Sequence, residues 1–422
     1  MRGSDGSAAA EWRRHWPVVL AAMAGSSYSS VAIFSMSFFL DPLGDEFGWS
    51  RTEVSLGLMM YSFLVVPLGP FVGAMLDRWG ARRIAIPGII LSSLTFAAFG
   101  LAGGSLTQWL GLWLLFGLAA VLVKVTVWTA AVSSVFEVGR GLALAVTLCG
   151  NALAQTLAPL AAQYLIDGYG WRTAYPVLAL GWGAVVLVLL VAFFYDARDR
   201  GRLSKQAAAE PRAGAPAMNG LTLGQALRSP PLLKLAGSTF LLMTLYGAIS
   251  VHQVPILAQS GISRATAAQI AASAGVTGIV GKLLTGWLLD RFGNPRWIAG
   301  LSIGAPAVAY LILFNPLGST MLITVAMIIL GYAVGALLQI CTYLTSRYGG
   351  LRNFGKIFGC IGALFGLSVG IGPIIGGWAY DYFGSYQPLL GSGVPLSLLA
   401  GILFLTLGPY PRFDGAAGPD PA

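Results

Sequence analysis

Gly73 and, four residues on, Asp77-Arg78-Trp79-Gly80-Ala81-Arg82-Arg83 form a charged joint between two apolar runs. A second copy, Gly286 followed by Asp290-Arg291-Phe292-Gly293, comes later in the chain at an offset of 213. The joint has a plain physical logic: an acid at a helix end, basic partners in the loop, and glycines for close helix packing. Pro159 and Pro373 repeat at an offset of 214, and so do Asp167 and Asp381. Matching offsets at separate places point to a duplicated chain.

Outward from these joints the sequence is 56% hydrophobic and 10% charged, where soluble domains carry about 25% charged residues. Apolar runs of about 20 residues, the length that crosses a bilayer core, recur throughout. They predict twelve transmembrane helices near 16–40, 53–76, 84–104, 108–136, 142–166 and 174–195, then 232–259, 265–289, 297–314, 320–346, 356–380 and 388–410. The fold class is therefore an all-α membrane protein. Residues 1–195 and 232–422 form two six-helix bundles. Residues 196–231, rich in Ala, Pro, Gly and basic residues, read as a cytoplasmic linker.

Of the 25 lysines and arginines, 20 fall in the termini and the loops on the same side as them. Three, Arg51, Arg172 and Arg264, fall on the other side, and two lie inside spans. By the positive-inside bias both termini are expected in the cytoplasm, in a multi-pass cytoplasmic (inner) membrane protein. The polar start is not expected to be a secretory signal. Cys149, Cys341 and Cys360 sit in apolar runs and give neither a disulfide framework nor a metal-ligand spacing.

The joint at Gly73 to Arg83 resembles the signature loop of the major facilitator superfamily. Two six-span repeats about an axis along the membrane normal are that superfamily's plan. Within it, the chain is similar to the monocarboxylate transporter and oxalate–formate antiporter group. Arg140-Gly141-Leu142-Ala143-Leu144-Ala145, Gly168-Tyr169-Gly170-Trp171-Arg172, and His252 with Pro255 and Gly261-Ile262-Ser263 carry the likeness. Arg347-Tyr348-Gly349, Asn353-Phe354-Gly355, Gly372-Pro373 and Asp381-Tyr382-Phe383-Gly384-Ser385-Tyr386 complete it. The acidic-Gly-Trp motif before span 1 is faint, as Glu11-Trp12, and Lys282 stands where the group usually has an arginine. The resemblance implies a latch role for Asp77, Arg78, Arg82, Arg83, Asp290 and Arg291. It also implies alternating access, with the two halves rocking about a central site.

Charges deep in a bilayer are expensive and mark function. Two such residues occur, Lys124 in span 4 and Lys282 in span 8. Read along one helix, Lys124 lies roughly 24 Å below Arg140. All 16 acids fall in loops, tails or span ends. The lysines are thus expected to be deprotonated or to face a wet cavity and receive an anion from outside. The group's substrate-binding basic residue falls at Lys282. In some monocarboxylate carriers an acid one turn earlier takes the coupling proton; here that position is Gly278, which counts against proton coupling by that route. The expected coupling is proton symport or anion exchange. His252, Tyr28, Tyr332, Gln339 and Asn151 complete the candidate substrate set, with Gln155 one turn after Asn151. Trp128, four residues after Lys124, could line the same wall.

The expected function is secondary active transport of small organic anions, monocarboxylates such as lactate or larger aromatic carboxylates. A dicarboxylate antiporter of the oxalate–formate type, or an exporter of neutral or cationic drugs, is the alternative. A membrane sensor would need an added soluble domain. No catalytic set is seen, so no enzyme is expected, and neither is a cofactor, a metal or a nucleic-acid partner. The partners are the anion, protons or a counter-anion, and the bilayer, with a monomer sufficient for function.

Overall fold

The computed structural model describes residues 4–136, 138–196, 220–291, 295–315, 319–350 and 352–411. Among them, twelve helices are long and apolar enough to cross a membrane. Spans 1 to 6 are Ala9–Phe47, Arg51–Gly69, Ala81–Leu101, Leu106–Val135, Arg140–Tyr169 and Trp171–Phe193. Spans 7 to 12 are Pro230–Gln259, Arg264–Leu289, Pro295–Phe314, Thr320–Gly349, Phe354–Phe383 and Gln387–Leu405. Span 1 begins earlier than hydropathy alone predicts, because Ala8-Ala9-Ala10-Glu11 are strong helix formers that carry the helix into the polar start.

The chain divides into two compact units, Met1–Pro211 and Arg212–Ala422. Each half packs its spans in the same pairs. Span 1 lies on span 5 as span 7 lies on span 11; span 2 on 4 as 8 on 10; span 3 on 6 as 9 on 12. Small residues set these approaches, since helices in lipid associate by close contact rather than by a hydrophobic drive. A Cβ on Gly150 would stand 2.0 Å from the Met23 carbonyl of span 1, and one on Gly335 equally close to the Gly278 carbonyl of span 8.

The duplication also shows in the turns. Gly48 and Gly261, related by the same offset as the charged joints, adopt φ of +69° and +76° between the first two spans of each half. That region is costly for any residue with a Cβ. Two residues after each glycine a serine caps the next helix. Ser50 Oγ accepts from Glu53 N at 3.2 Å, and Ser263 Oγ from Thr266 N at 3.3 Å.

The linker expected over 196–231 is narrower. Residues 197–219 lie outside the described residues. On their far side the chain is already bound to the second half. Leu221 N donates to Gly349 O at 2.9 Å, Asn353 Nδ2 to Leu221 O at 2.9 Å, and a short helix, Leu223–Ala226, is capped by Thr222. On the near side the first half closes on its own last residues. The Tyr195 hydroxyl is 2.8 Å from His15 Nδ1, and buried Asp196 accepts from Ala81 N at 2.8 Å.

Candidate substrate site and latch loops

Span 4 is not one helix. Leu106–Ala120 tightens into a 3-10 turn, Val121–Val123; Lys124 is extended at φ −63° and ψ 158°; helix resumes over Val125–Val135. The local sequence Val121-Leu122-Val123-Lys124-Val125-Thr126-Val127 is dense in β-branched side chains, which crowd a helical turn. A break inside a membrane frees backbone groups that must find other partners. The Val123 carbonyl accepts from Trp128 Nε1 at 3.0 Å and from Ser29 Oγ of span 1. The indole is fully buried, in a slot that Gly25 leaves open: a Cβ there would stand 2.6 Å from the ring.

This break sets where Lys124 points. Its Nζ donates to the Val65 carbonyl of span 2 at 3.0 Å. An ammonium has three donors, and among the described residues this one carbonyl accepts from it. The depth expected from a single helix running down from Arg140 does not hold, because no continuous helix joins the two. Lys124 sits about 16 Å inside the end of Val125–Val135 at 1.5 Å per residue. Trp128 does not line the wall beside Lys124. It braces the break from behind.

Lys282 is half-buried on span 8. It stands between Gly278, which packs on Gly335, and Gly286, beside the Gln339 side chain. The parallel register of spans 8 and 10 thus brings Lys282 and exposed Gln339 to one level. Tyr332 lies in the same seam with its hydroxyl turned to span 9, 2.9 Å from Ser302 Oγ and 3.3 Å from Thr285 Oγ1.

The other candidates are placed elsewhere. His252 is fully buried, with Nδ1 2.9 Å from the Tyr386 hydroxyl and Nε2 2.8 Å from the Pro373 carbonyl. Both ring nitrogens are engaged, so the expectation that it meets substrate gives way to a brace between spans 7, 11 and 12. Tyr28 is buried, its ring beside Gly183 of span 6 and near Ser93 of span 3. It too is withdrawn from solvent. Asn151 takes a hydrogen bond from Ser30 Oγ across the span 1–span 5 contact. Gln155, one turn on, is buried.

The charged joints, expected to act as latches, show a different use of charge. Arg82 donates to Phe194 O at 2.9 Å and Val191 O at 2.7 Å, capping the end of span 6. Gly80, at φ +83°, turns the chain and leaves room for Asp196, whose Oδ2 a Cβ would meet at 2.6 Å. Arg78 lies over the Trp79 ring and Arg291 over Trp287, while Arg83 is exposed. The side chains of Asp77 and Asp290 lie outside the described residues. The faint Glu11-Trp12 motif is fully used. Glu11 accepts from Val138 N and from Gly139 N, the latter at 2.9 Å, and Trp12 packs edge-on to Phe136. At the opposite end Arg172 pairs with Glu46 at 2.6 Å, and Trp171 Nε1 donates to the same carboxylate.

A family model described as Major Facilitator Superfamily matches residues 20–348 and 235–419. The chain belongs to the major facilitator superfamily. Among curated facilitators it is 30% identical over 277 residues to mouse monocarboxylate transporter 11, covering 65% of this chain and 59% of that relative. It is 27% identical to human monocarboxylate transporter 11, covering 96% and 84%. It is also 27% identical to the Aspergillus flavus MFS transporter asaE, covering 84% and 77%. Two solved facilitators share the fold. A D-xylose–proton symporter superposes with a TM-score of 0.72 at 14% identity, covering 94% and 98%. A bacterial homologue of the human lysosomal transporter Spinster gives 0.68 at 17%, covering 92% and 94%.

Sequence reasoning did not find the Val65 carbonyl, Gly25 or Asp196 of this facilitator. The β-branched run around Lys124 was the available signal for the first two. For Asp196, one of three acids in the expected linker with Asp199 and Glu210, there was none.

Proposed function

We propose that this facilitator carries small organic anions, monocarboxylates such as lactate or larger aromatic carboxylates, by alternating access in a cytoplasmic membrane with both termini inside. The observation that carries the reading is Lys124. It is held at a helix break inside a span, its acceptor among the described residues is a neutral carbonyl, and as an ammonium it would offer two further donors to an anion. Lys282, level with Gln339 in the span 8–span 10 seam, supplies a second cation. Every acid of the chain lies in a loop, a tail or a span end. Discontinuous helices form the ligand sites of many carriers, and unwound backbone there is tolerated where it faces a cavity. The monocarboxylate transporter names of the mouse and human relatives point the same way.

The Val65 carbonyl also bears on coupling. A cation with no partner in an empty site would make closure costly and favour obligatory exchange. A carbonyl that accepts from Lys124 lowers that cost and leaves proton symport open beside exchange.

The test is uptake of labelled carboxylates into proteoliposomes, alongside thermal unfolding of the purified protein. A carboxylate at about 100 times its Kd should stabilise by about 2.7 kcal/mol. Lys282→Gln and Lys124→Gln should each lower uptake at least tenfold and remove the stabilisation while the protein remains folded. Wild-type uptake by both variants, or stabilisation by cationic or neutral compounds alone, would overturn the reading.

A further inference from the structure

Residues 220–411 contain nine lysines and arginines but only two acids, Asp290 and Asp381. At the end of the second half where its chain enters, Arg296 opens span 9 and Arg347 closes span 10. Both guanidinium groups lie over the Tyr410 ring, 5.6 Å and 4.7 Å from its centroid. A single aromatic ring therefore gathers two like charges into one cluster. Neither forms an ion pair among the described residues; Arg296 also neighbours the Tyr348 hydroxyl, which is neutral.

Helix capping does not account for them. The carbonyls left free at the end of span 12 are already served: Lys234 donates to Thr406 O at 2.9 Å, and the Tyr348 hydroxyl lies 3.0 Å from Leu407 O and 2.7 Å from Gly408 O. Among the described residues no acid balances the two arginine charges. Between them the Tyr410 hydroxyl is buried and has no hydrogen-bond partner among the described residues, so within those residues the cluster also holds an unused donor.

The surroundings say what kind of anion fits. Trp297 and Leu301, one turn apart on span 9, are 58% and 66% exposed. An exposed apolar stripe beginning at a tryptophan marks a lipid-facing surface at the interface. Arg296 precedes that tryptophan, which sets the cluster at headgroup depth. Two planar guanidinium groups match the oxygens of a phosphate diester, and basic pockets between spans hold such headgroups.

We propose that Arg296, Arg347 and Tyr410 form a headgroup site for an anionic phospholipid, between spans 9, 10 and 12. The shared chemistry is a phosphate anion, and the lipid is the source the exposed span 9 surface favours. The site is independent of the substrate reading.

The test uses the full-length protein purified in detergent, with phosphatidylglycerol, phosphatidylcholine or inorganic phosphate added, and counts retained lipid by native mass spectrometry. Wild type should retain phosphatidylglycerol at least tenfold more tightly than phosphatidylcholine, and less tightly as salt rises. R296Q/R347Q should fall to the phosphatidylcholine level. Arg228→Gln, an exposed arginine at the same end of the half, should change nothing. Should the double glutamine variant not fold, R296K/R347K keeps the charge and loses the planar forks, and should retain several-fold less. Wild-type retention by whichever double variant is measured would overturn the proposal. So would an equal loss with Arg228→Gln, which would mean general charge attraction. Displacement of the lipid by millimolar inorganic phosphate would make the source a free anion and overturn the lipid assignment.

Discussion

Spans 4 and 10 occupy the same place in the two halves, yet one is broken and the other runs unbroken over Thr320–Gly349. At an offset of 213, Lys124 corresponds to Leu337, which is 1% exposed, and Trp128 corresponds to Cys341. Cys341 is buried, 3.0 Å from Thr239 Oγ1 of span 7, while Trp128 reaches back to a carbonyl that only a broken helix could offer. The bulky donor and the β-branched run go together with the break. The small thiol goes with a continuous ladder. A duplicated frame thus keeps its packing pairs while one copy of a helix breaks around a lysine.

The sharpest way to break this comparison is to put the lysine in the wrong copy. Leu337→Lys places an ammonium where the helix frees no carbonyl, so it should cost several kcal/mol and deplete folded protein. Yield and thermal unfolding in detergent measure this, and a wild-type melting temperature would show that the break is not what accommodates Lys124. Next in size is Gly25→Val, which drives a side chain into the Trp128 slot and should cost about 1–3 kcal/mol. Unfolding at an unchanged temperature would mean the indole moves aside and the brace is loose. The smallest effect tests where the halves agree. Gly48→Ala and Gly261→Ala, each at a left-handed turn, should each cost about 1–2 kcal/mol. Unequal losses would show that the duplicated turns no longer bear the same strain.

The twelve spans and the superfamily were legible in the sequence because lipid imposes length and apolarity on every span, and the charged joint between spans 2 and 3 repeats in the second half. The six-span pairing was implied by offsets alone. The site was legible only in part. Charge in an apolar run drew attention to Lys124 and Lys282, since no other force explains it. Side-chain direction was not available, so His252 and Tyr28 looked like ligands when their polar atoms are turned into packed seams. The backbone acceptor at Val65 was invisible for a further reason. Every residue has a carbonyl, and only the helix break makes this one reachable.

The contacts that join His15 to Tyr195, Arg82 to Phe194, and Ala81 to Asp196 have a consequence for biogenesis. Each ties an early residue to one of the last residues of the first half. A nascent chain with five spans inserted has no partner for any of them. The first bundle can be sealed only once span 6 has left the ribosome, and its sealing residues come immediately before the polar stretch that separates the halves. Domains of a growing chain fold as units in order of synthesis. Here the polar stretch between the halves and the last stitch of the first bundle adjoin in the chain.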